Sequence, residues 1–488
     1  MKYCCALLMA LILFSACTSR KEENTVKNKD LFQSEIQQLK NYFHIPGLAV
    51  LVKKGDSTLY EDYMGYANVE KKIKVDGTTA FPIASITKVF AGVALMKLVE
   101  EGKVSLDDPI DRYLTSATFG DSIQVKHVLS HTSQGQVGQH FHYSYRFGAL
   151  TPVIAIGANS SFEGYLKNEI FKPLGLNATY MLTDSSSVKP TMAQPYNFEG
   201  EVVPGILEFG TSASAGVVGT ARDLGIFSKA LENNIPITSA SKKLMYTPFA
   251  TSSPYGLGIF TQEIEGKKVI WAYGQYDSYS SLLLKVPEDE LTLVLLANNN
   301  LMSDPARLIN GDLSASLFAM SFLKNYVLEL EELPLFESVD TSSINTGEFR
   351  RKKVLAEALA ASFMARFDDK ELEKSKQLLR KTFELHPNYQ DYGNLNLLHT
   401  LTFLKSVHFY KELGTYSEFD ERIETLSEAL LAKDPNNPYV NVYMGAYYDQ
   451  KGDMEKARHH YETIVNTKNF SPFWYTAEAK SWLAQQKE

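Results

Sequence analysis

Serine and lysine stand three residues apart at four places in the chain, and one of these pairs precedes a long amphipathic segment. In the segment Phe81–Lys88, Ser85 and Lys88 form the pair, and the helix-like run Val89–Glu101 follows at once. Residues with this spacing at the start of a helix lie on one face, so a hydroxyl and an amine can meet. A buried lysine has a lowered pKa and can take the serine proton, which makes the serine a nucleophile.

Spacing alone is weak support for a nucleophile. The other three pairs begin at Ser186, Ser239 and Ser321; Ser186 lies in a serine-rich loop and Ser321 late in a helix-like run. Only Ser85 is followed by a long amphipathic helix that stops at a glycine. The first turn of that helix also offers unpaired backbone N–H groups, which favour a developing oxyanion. Ser85 is therefore the predicted nucleophile, and Lys88 is its predicted proton acceptor or shuttle.

Several further motifs follow Ser85 in a particular order. They are Leu106–Ile110, Val128–Ser133, Phe141–Tyr145, Ile170–Leu176, Ser214–Leu224, Tyr255–Gly258 and Leu293–Asn298. Their order resembles that of the penicillin-recognising serine hydrolases, which include class C β-lactamases, D-alanyl-D-alanine carboxypeptidases and related esterases. The resemblance covers roughly residues 35–320. It implies a β-lactamase/transpeptidase-like fold and acyl transfer on an ester or amide through an acyl-enzyme on Ser85.

The resemblance assigns the role of general base to Tyr143. In the resembling enzymes a Tyr-x-Asn element places a phenol beside the serine, and a nearby lysine favours its ionised form. Here the element reads Tyr143-Ser144-Tyr145. The larger Tyr145 therefore replaces an asparagine that usually binds a substrate amide carbonyl. Packing of Tyr143 within a loop is the alternative interpretation.

The resemblance also implies an edge strand that carries Lys/His-x-Gly, and the ungapped match is Ala272-Tyr273-Gly274. Gly274 suits a position where backbone or ligand approaches closely. The N–H of Gln275 is the expected second oxyanion donor, beside that of Ser85. Ala272 and Tyr273 are expected to line the substrate pocket. The basic residue is missing at Ala272, and a gapped match places the uncharged Gln275 there. The resemblance therefore predicts weak recognition of a substrate carboxylate and a preference for neutral esters or amides.

Composition excludes several classes of function. The chain has 488 residues and a net charge of −8 without a basic block, which argues against nucleic acid as a partner. Its length predicts two or more domains. His140 and His142 are two residues apart, but no further metal ligands stand out. No metal and no cofactor are predicted.

The N-terminus has the pattern of a bacterial lipoprotein signal. The apolar run Ala6–Phe14 leads into Phe14-Ser15-Ala16-Cys17, which resembles a lipobox. Residues 1–16 are predicted to be a signal peptide, Cys17 to carry lipid, and residues 17–30 to form a polar tether. We therefore expect a protein attached to the membrane of the bacterial cell envelope, facing the periplasm or the surface. A plain signal peptide or a short transmembrane anchor is the alternative.

The distribution of strand signals predicts the fold of the first domain. Gly47–Val52 and Ser57–Tyr63 are predicted strands, and three more are predicted between Lys268 and Ala297. A helical region separates these two groups. The pattern indicates one antiparallel sheet made from both ends of the domain, flanked by helices and with a helical insert. This α/β (α+β) serine hydrolase domain is predicted to cover residues 31–328.

The last part of the chain lacks strand signals. Residues 329–346 are acidic and contain a Ser/Thr cluster, so they form a predicted linker that should allow the first domain to fold alone. Residues 347–488 are predicted to be all-α. Small and large residues over Met444–Ile464 resemble a tetratricopeptide repeat, and Trp474–Gln485 is a predicted capping helix. Such repeats suit a peptide or protein partner. An unspecialised helical bundle is the alternative.

Two hypotheses of function follow. The first is a lipid-anchored serine hydrolase that acts on a small-molecule or peptide substrate, and the intact Ser85, Lys88 and Tyr143 favour it. The second is a catalytically weakened β-lactamase-fold protein that acts as a binding or scaffold protein through its helical repeats. Tyr145 and Ala272 favour the second hypothesis.

Overall fold

The computed structural model shows an α+β domain followed by an all-helical domain. It describes residues 28–115, 119–120, 122–250, 253–328, 330, 335, 347–389, 395–470 and 473–486. The predicted signal peptide, Cys17, and most of the predicted tether and linker lie outside the described residues. The domain boundaries that fall there stay predictions.

Strands from both ends of the first domain build its central sheet. The strands of the described chain are β1 (Gly47–Lys54), β2 (Ser57–Asn68), β3 (Ile73–Lys74), β4 (Phe81–Pro82), β5 (Tyr180–Met181), β6 (Tyr196–Phe198), β7 (Val202–Pro204), β8 (Val217–Gly219), β9 (Phe260–Ile264), β10 (Lys267–Tyr276), β11 (Tyr279–Val286) and β12 (Leu291–Ala297). Seven of them form one antiparallel sheet in the order β3-β2-β1-β12-β11-β10-β9. Strand β1 pairs with β12, with Leu48 opposite Ala297. The predicted antiparallel sheet is confirmed.

Helices cover both faces of this sheet. They are α1 (residues 28–42), α2 (Thr87–Glu100), α3 (Val125–Leu129), α4 (Leu150–Ala158), α5 (Phe162–Leu166), α6 (Ala221–Glu232), α7 (Ser239–Met245) and α8 (Leu317–Phe322). Side chains alternate along β1, so Leu48 and Val50 join one buried cluster, whereas Ala49 and Leu51 join another. Helices α1 and α8 contribute to the first cluster, and α2 and α6 contribute to the second.

The C-terminal domain is all-helical, as predicted. Its helices are α9 (Glu348–Met364), α10 (Asp369–Leu385), α11 (Leu395–Tyr410), α12 (Asp420–Lys433), α13 (Pro438–Lys451), α14 (Met454–Asn466) and α15 (Trp474–Gln485). Helices α13 and α14 pack closely because Gly445 leaves room for the Tyr461 ring; a Cβ at Gly445 would lie 2.7 Å from that ring. The small and large residues therefore pack as the repeat pattern predicts. The assignment to the tetratricopeptide repeats stays a prediction.

One of the alternative serine–lysine pairs has a structural role. Ser321 lies on α8, and its hydroxyl donates a 2.6 Å hydrogen bond to the Glu35 carboxylate on α1. Lys324 forms a buried ion pair with the same carboxylate, and Asn325 donates to it at 2.9 Å. These contacts join α1 to α8 beneath the sheet. This hydrogen-bond network gives the Ser321–Lys324 pair a structural role and requires no catalytic function for it.

The hydrophobic core continues from the first domain into the helical domain. The cluster that contains Leu48 also contains Leu359 of α9 and Tyr439 of α13. Buried polar contacts cross the same boundary, because the Tyr439 hydroxyl donates to the backbone oxygen of Tyr143 at 3.2 Å. The expectation that the first domain folds alone is therefore not supported by the packing. The two domains share one core.

In the part of the chain that the structure describes, each helix is too short or too polar to cross a membrane.

A chain that ends after residue 337 is expected to be insoluble or to lose cooperative unfolding. Removing the helical domain exposes the apolar face that packs against Leu359 and Tyr439, and exposed apolar surface drives aggregation. Soluble yield and thermal unfolding, followed by near-ultraviolet circular dichroism, measure this effect.

The matched control for this truncation is a full-length chain with a protease site inserted between residues 337 and 345. After cleavage, the two fragments should stay associated and keep the unfolding transition of the intact chain. A soluble truncated chain that unfolds cooperatively would instead support an independent first domain.

Candidate active site

A tight turn presents Ser85 immediately before helix α2. Residues Ala84–Ile86 form a single 3-10 turn, and α2 begins at Thr87. Ala84 has φ of 45°, a left-handed conformation that a non-glycine residue adopts at a cost in energy. The turn places the Ser85 hydroxyl above the first turn of α2, where the Lys88 amine lies 3.0 Å from it. The predicted pair therefore meets.

The Lys88 amine is buried among groups that do not carry a negative charge. Its Nζ donates to the backbone oxygen of Ser214 at 3.1 Å. It also lies 4.9 Å from the centre of the Tyr143 ring and 5.4 Å from that of Phe147. Burial lowers the pKa of Lys88 to about 7, because the charged form loses its hydration. A large fraction of Lys88 is therefore neutral near pH 7 and able to accept the Ser85 proton.

Tyr143 lies beside this pair, but its surroundings disfavour the phenolate. Burial raises the pKa of Tyr143 above its ordinary value, and hydrogen bonding to Ser85 lowers it by less. The Tyr143 ring stacks on His131, with ring centres 4.2 Å apart. A neutral Lys88 also supplies no positive charge to stabilise a phenolate. The geometry favours Lys88 over Tyr143 as the group that first takes the proton, with Tyr143 as a neutral donor or acceptor.

Strand β10 forms one side of the site, but its residues face two directions. Tyr273 and Gln275 line the cavity above Ser85. Ala272 lies on the other face, in the buried cluster that includes Ile83. The expectation that Ala272 lines the pocket is therefore wrong, because neighbouring side chains of a strand point to opposite faces. A lysine at position 272 would point into the core rather than towards the substrate.

Gly274 allows β10 to approach the turn that carries the nucleophile. A Cβ at Gly274 would lie 2.0 Å from the backbone oxygen of Ile83, and Ser281 donates to the same oxygen at 2.9 Å. The close approach that the sequence predicts at Gly274 thus involves backbone. It holds the backbone of Gln275 near Ser85, where its N–H remains the predicted second oxyanion donor.

A guanidinium that the sequence analysis missed lines the same cavity. Arg307 follows β12 and has φ of 45°, a left-handed conformation. Asp304 holds it through a contact of 3.3 Å and also accepts a hydrogen bond from Gln275 at 3.1 Å. The cavity therefore contains a cation although Ala272 is apolar. The guanidinium is already paired with Asp304, and Glu208 and Asp277 also line the cavity, so the predicted weak recognition of a substrate carboxylate stays a prediction.

The helical domain forms the opposite wall of the cavity. Phe473 and Trp474, at the start of α15, line it together with Tyr145. The rings of Tyr145 and Phe473 meet edge to face with centres 4.6 Å apart. The enclosed volume is about 500 Å³, which is enough for a small-molecule substrate or a short peptide segment.

The histidines that the sequence singled out have structural contacts. His142 lies 2.8 Å from the Asp434 carboxylate of the helical domain. Burial alone would raise the pKa of Asp434, but the hydrogen bond and the charge interaction with His142, together with smaller contributions from His140 and the backbone of Asn436, hold that pKa below its ordinary value. Within the described ranges, no group of three or more potential His, Cys, Asp or Glu ligands is arranged to hold a metal ion.

Comparison with known proteins identifies the family. The sequence matches the Beta-lactamase family over residues 32–315, which is more than half of the chain. The chain belongs to the beta-lactamase family. The antiparallel sheet and its flanking helices confirm the β-lactamase/transpeptidase-like fold that the sequence motifs predict.

Two relatives are moderately similar to the chain in sequence. It is 27% identical over 317 residues to the "Putative penicillin-binding protein PbpX" of Bacillus subtilis (strain 168), which covers 58% of this chain and 77% of that protein. It is 26% identical over 305 residues to Protein flp of Staphylococcus aureus (strain MW2), covering 53% of this chain and 60% of that protein. The family match ends at residue 315, before the helical domain begins.

Solved structures share the fold of the first domain. An octameric penicillin-binding protein homologue from Pyrococcus abyssi aligns with a TM-score of 0.56 and 23% identity, covering 67% of this chain and 81% of that one. A class C beta-lactamase aligns with a TM-score of 0.51 and 20% identity, covering 56% of this chain and 92% of that one. At this identity the likeness concerns the fold alone.

The rate of covalent labelling of Ser85 should depend on pH through Lys88. Its neutral amine is the base, so the rate should rise with pH through about 7 and level off above it. A rate at pH 6 about tenfold below the plateau is expected, because about a tenth of the amine is then neutral. Fluorophosphonate labelling, measured from pH 5 to 9, tests this.

Tyr143→Phe is the matched control for the pH profile. If Lys88 is the titrating base, this variant keeps the midpoint near pH 7 even where its overall rate is lower. A midpoint that shifts or disappears in Tyr143→Phe would assign the titration to the phenol, and a wild-type midpoint near 10 would mean that Lys88 stays charged.

Proposed function

We propose that the protein is a serine hydrolase that acts by acyl transfer on an ester or amide. The observation that carries this proposal is the 3.0 Å contact between the Ser85 hydroxyl and the buried amine of Lys88. Lys324 forms an ion pair with Glu35, whereas burial without a carboxylate partner lowers the pKa of Lys88 and suits it to take the serine proton. The contact unites a nucleophile and its base at the floor of an open cavity.

The proposed reaction has two stages. In the first, neutral Lys88 takes the Ser85 proton while the Ser85 oxygen attacks the substrate carbonyl carbon. The resulting oxyanion is stabilised by the N–H groups of Ser85 and Gln275. The tetrahedral intermediate then collapses, and the proton passes to the departing alcohol or amine, with the Tyr143 hydroxyl in position to relay it. In the second stage, water attacks the acyl-enzyme by the same route and releases the acid.

A binding function with weakened catalysis is the second candidate. The observation that favours it is Tyr145, because a large aromatic ring stands where the resembling enzymes use an amide to bind substrate. In this alternative the cavity holds a ligand without turnover, and the helical repeats recruit a protein partner. The absence of reaction at Ser85 distinguishes this candidate from the first.

We also propose that lipid on Cys17 anchors the protein to the bacterial cell envelope. The apolar run before Cys17 and the polar residues after it support this proposal. Several acyl chains together give stable attachment, since each buried CH₂ contributes about 0.8 kcal/mol. The hydrolase would then act on envelope-associated or periplasmic molecules.

A fluorophosphonate probe should label the purified protein on Ser85. Ser85→Ala should abolish labelling, and Lys88→Ala should slow it by about 10²-fold or more, the scale of a lost general base. Peptide mass spectrometry of the labelled protein locates the adduct. Ser321→Ala is the matched control, because its Ser-x-x-Lys pair is bonded to Glu35; it should leave the labelling site unchanged. An unlabelled wild type, or a label on another serine, contradicts the proposal.

Cells grown with labelled palmitate should incorporate the label into the wild-type chain but not into Cys17→Ala. The fractions should differ in the same way, with the wild type in membranes and the variant in the soluble envelope fraction. Label retained by Cys17→Ala would refute lipidation at Cys17 and favour the uncleaved transmembrane anchor.

A further inference from the structure

The cavity above Ser85 has an aromatic wall that comes from the helical domain. Ser85 and Lys88 lie at its floor, and Phe473 and Trp474 of the helical domain line it nearly 390 residues later in the chain. Tyr145 of the first domain completes this wall, and 69% of this residue is exposed. We call Tyr145, Phe473 and Trp474 the aromatic wall. An exposed ring held edge-on by Phe473 keeps its face available for a further contact.

The aromatic wall is held rigidly. Tyr475, the next residue on α15, is fully buried and accepts a 3.1 Å hydrogen bond from Gln134 of the first domain. The Trp474 ring packs against Tyr439 and Tyr443 of α13, with ring centres 6.0 Å and 6.4 Å away. Because these contacts form within the protein itself, a ligand need not order the wall on binding.

The chemistry of the wall selects one class of group. Aromatic rings attract other rings in offset or edge-to-face arrangements and add to the gain from burying apolar area. Arg307 approaches the Trp474 ring, with its guanidinium carbon 5.9 Å from the ring centre, so a polar group can be held at the end of the wall. Ser85 and these rings line one cavity of about 500 Å³, so a ring carried by the substrate can lie in the same cavity as the nucleophile.

We propose that the aromatic wall is a specificity subsite of the hydrolase, which binds an aromatic ring or a comparable flat apolar group of the substrate. The inference rests on the proposed hydrolase function and adds the class of substrate to it. It also gives the helical domain a direct part in the reaction, because Phe473 and Trp474 contact the substrate. Substrates that carry such a group should be preferred over those with only a methyl group at the same position.

Reversible inhibition by boronic acids tests this subsite, because the boron binds the Ser85 oxygen and the remaining group can turn towards the wall. The measured quantity is the ratio of inhibition constants for methylboronic and benzylboronic acid, with turnover of a p-nitrophenyl ester as the readout. Wild type should favour the benzyl compound. Trp474→Ala and Tyr145→Ala should each reduce that preference by about tenfold, the scale of one or two aromatic contacts.

Two further variants show whether a reduced preference for the benzyl compound comes from loss of the subsite or from a general effect on folding. Trp474→Phe keeps a ring and should restore most of the preference. Tyr410→Ala removes a ring that is 79% exposed on α11, away from the cavity, and should keep the wild-type ratio. An equal ratio in wild type, Trp474→Ala and Tyr145→Ala overturns the subsite. A wild type that neither turns over the ester nor is labelled at Ser85 overturns the hydrolase function instead.

Discussion

The desolvation of one amine underlies the whole site. Lys88 lies 3.0 Å from the Ser85 hydroxyl, and its only other hydrogen bond among the described contacts goes to the backbone oxygen of Ser214. Without a carboxylate partner, burial favours the neutral amine and lowers the pKa of Lys88 to about 7. Burying the Lys88 amine makes folding less favourable, so the surrounding structure must hold the amine in place. The left-handed turn at Ala84 and the close packing of β10 at Gly274 do so.

The contrast with Lys324 shows why the surroundings decide the chemistry. Both lysines follow a serine by three residues and both are buried, but Lys324 faces the Glu35 carboxylate. The Glu35 carboxylate binds both the Lys324 amine and the Ser321 hydroxyl, so this pair joins two helices. The spacing of the motif gives proximity between hydroxyl and amine. Only the tertiary environment gives the amine a pKa suited to catalysis.

Local sequence patterns predicted the helices and strands well. They did not predict which residues from distant parts of the chain meet in the fold. Helix α15 has the predicted bounds, Trp474–Gln485, because helical periodicity is a local signal. Ala272 was misplaced because a shift of one residue along a strand moves a side chain to the other face. Arg307 was missed because its loop reaches the cavity only through the fold. The aromatic wall joins residues 145 and 473, and no periodicity in either segment signals that contact.

The sequence indicates two separate modules, whereas the structure packs them around one core. The acidic segment at residues 329–346 and the change from strands to helices both indicate two modules. The core nevertheless continues across them, and Tyr439 donates a hydrogen bond to the backbone of Tyr143 itself. A displacement of the helical domain would move that backbone and open the cavity at Phe473 and Trp474. Helical packing is thus coupled to the position of Tyr143, and the two modules share one hydrophobic core.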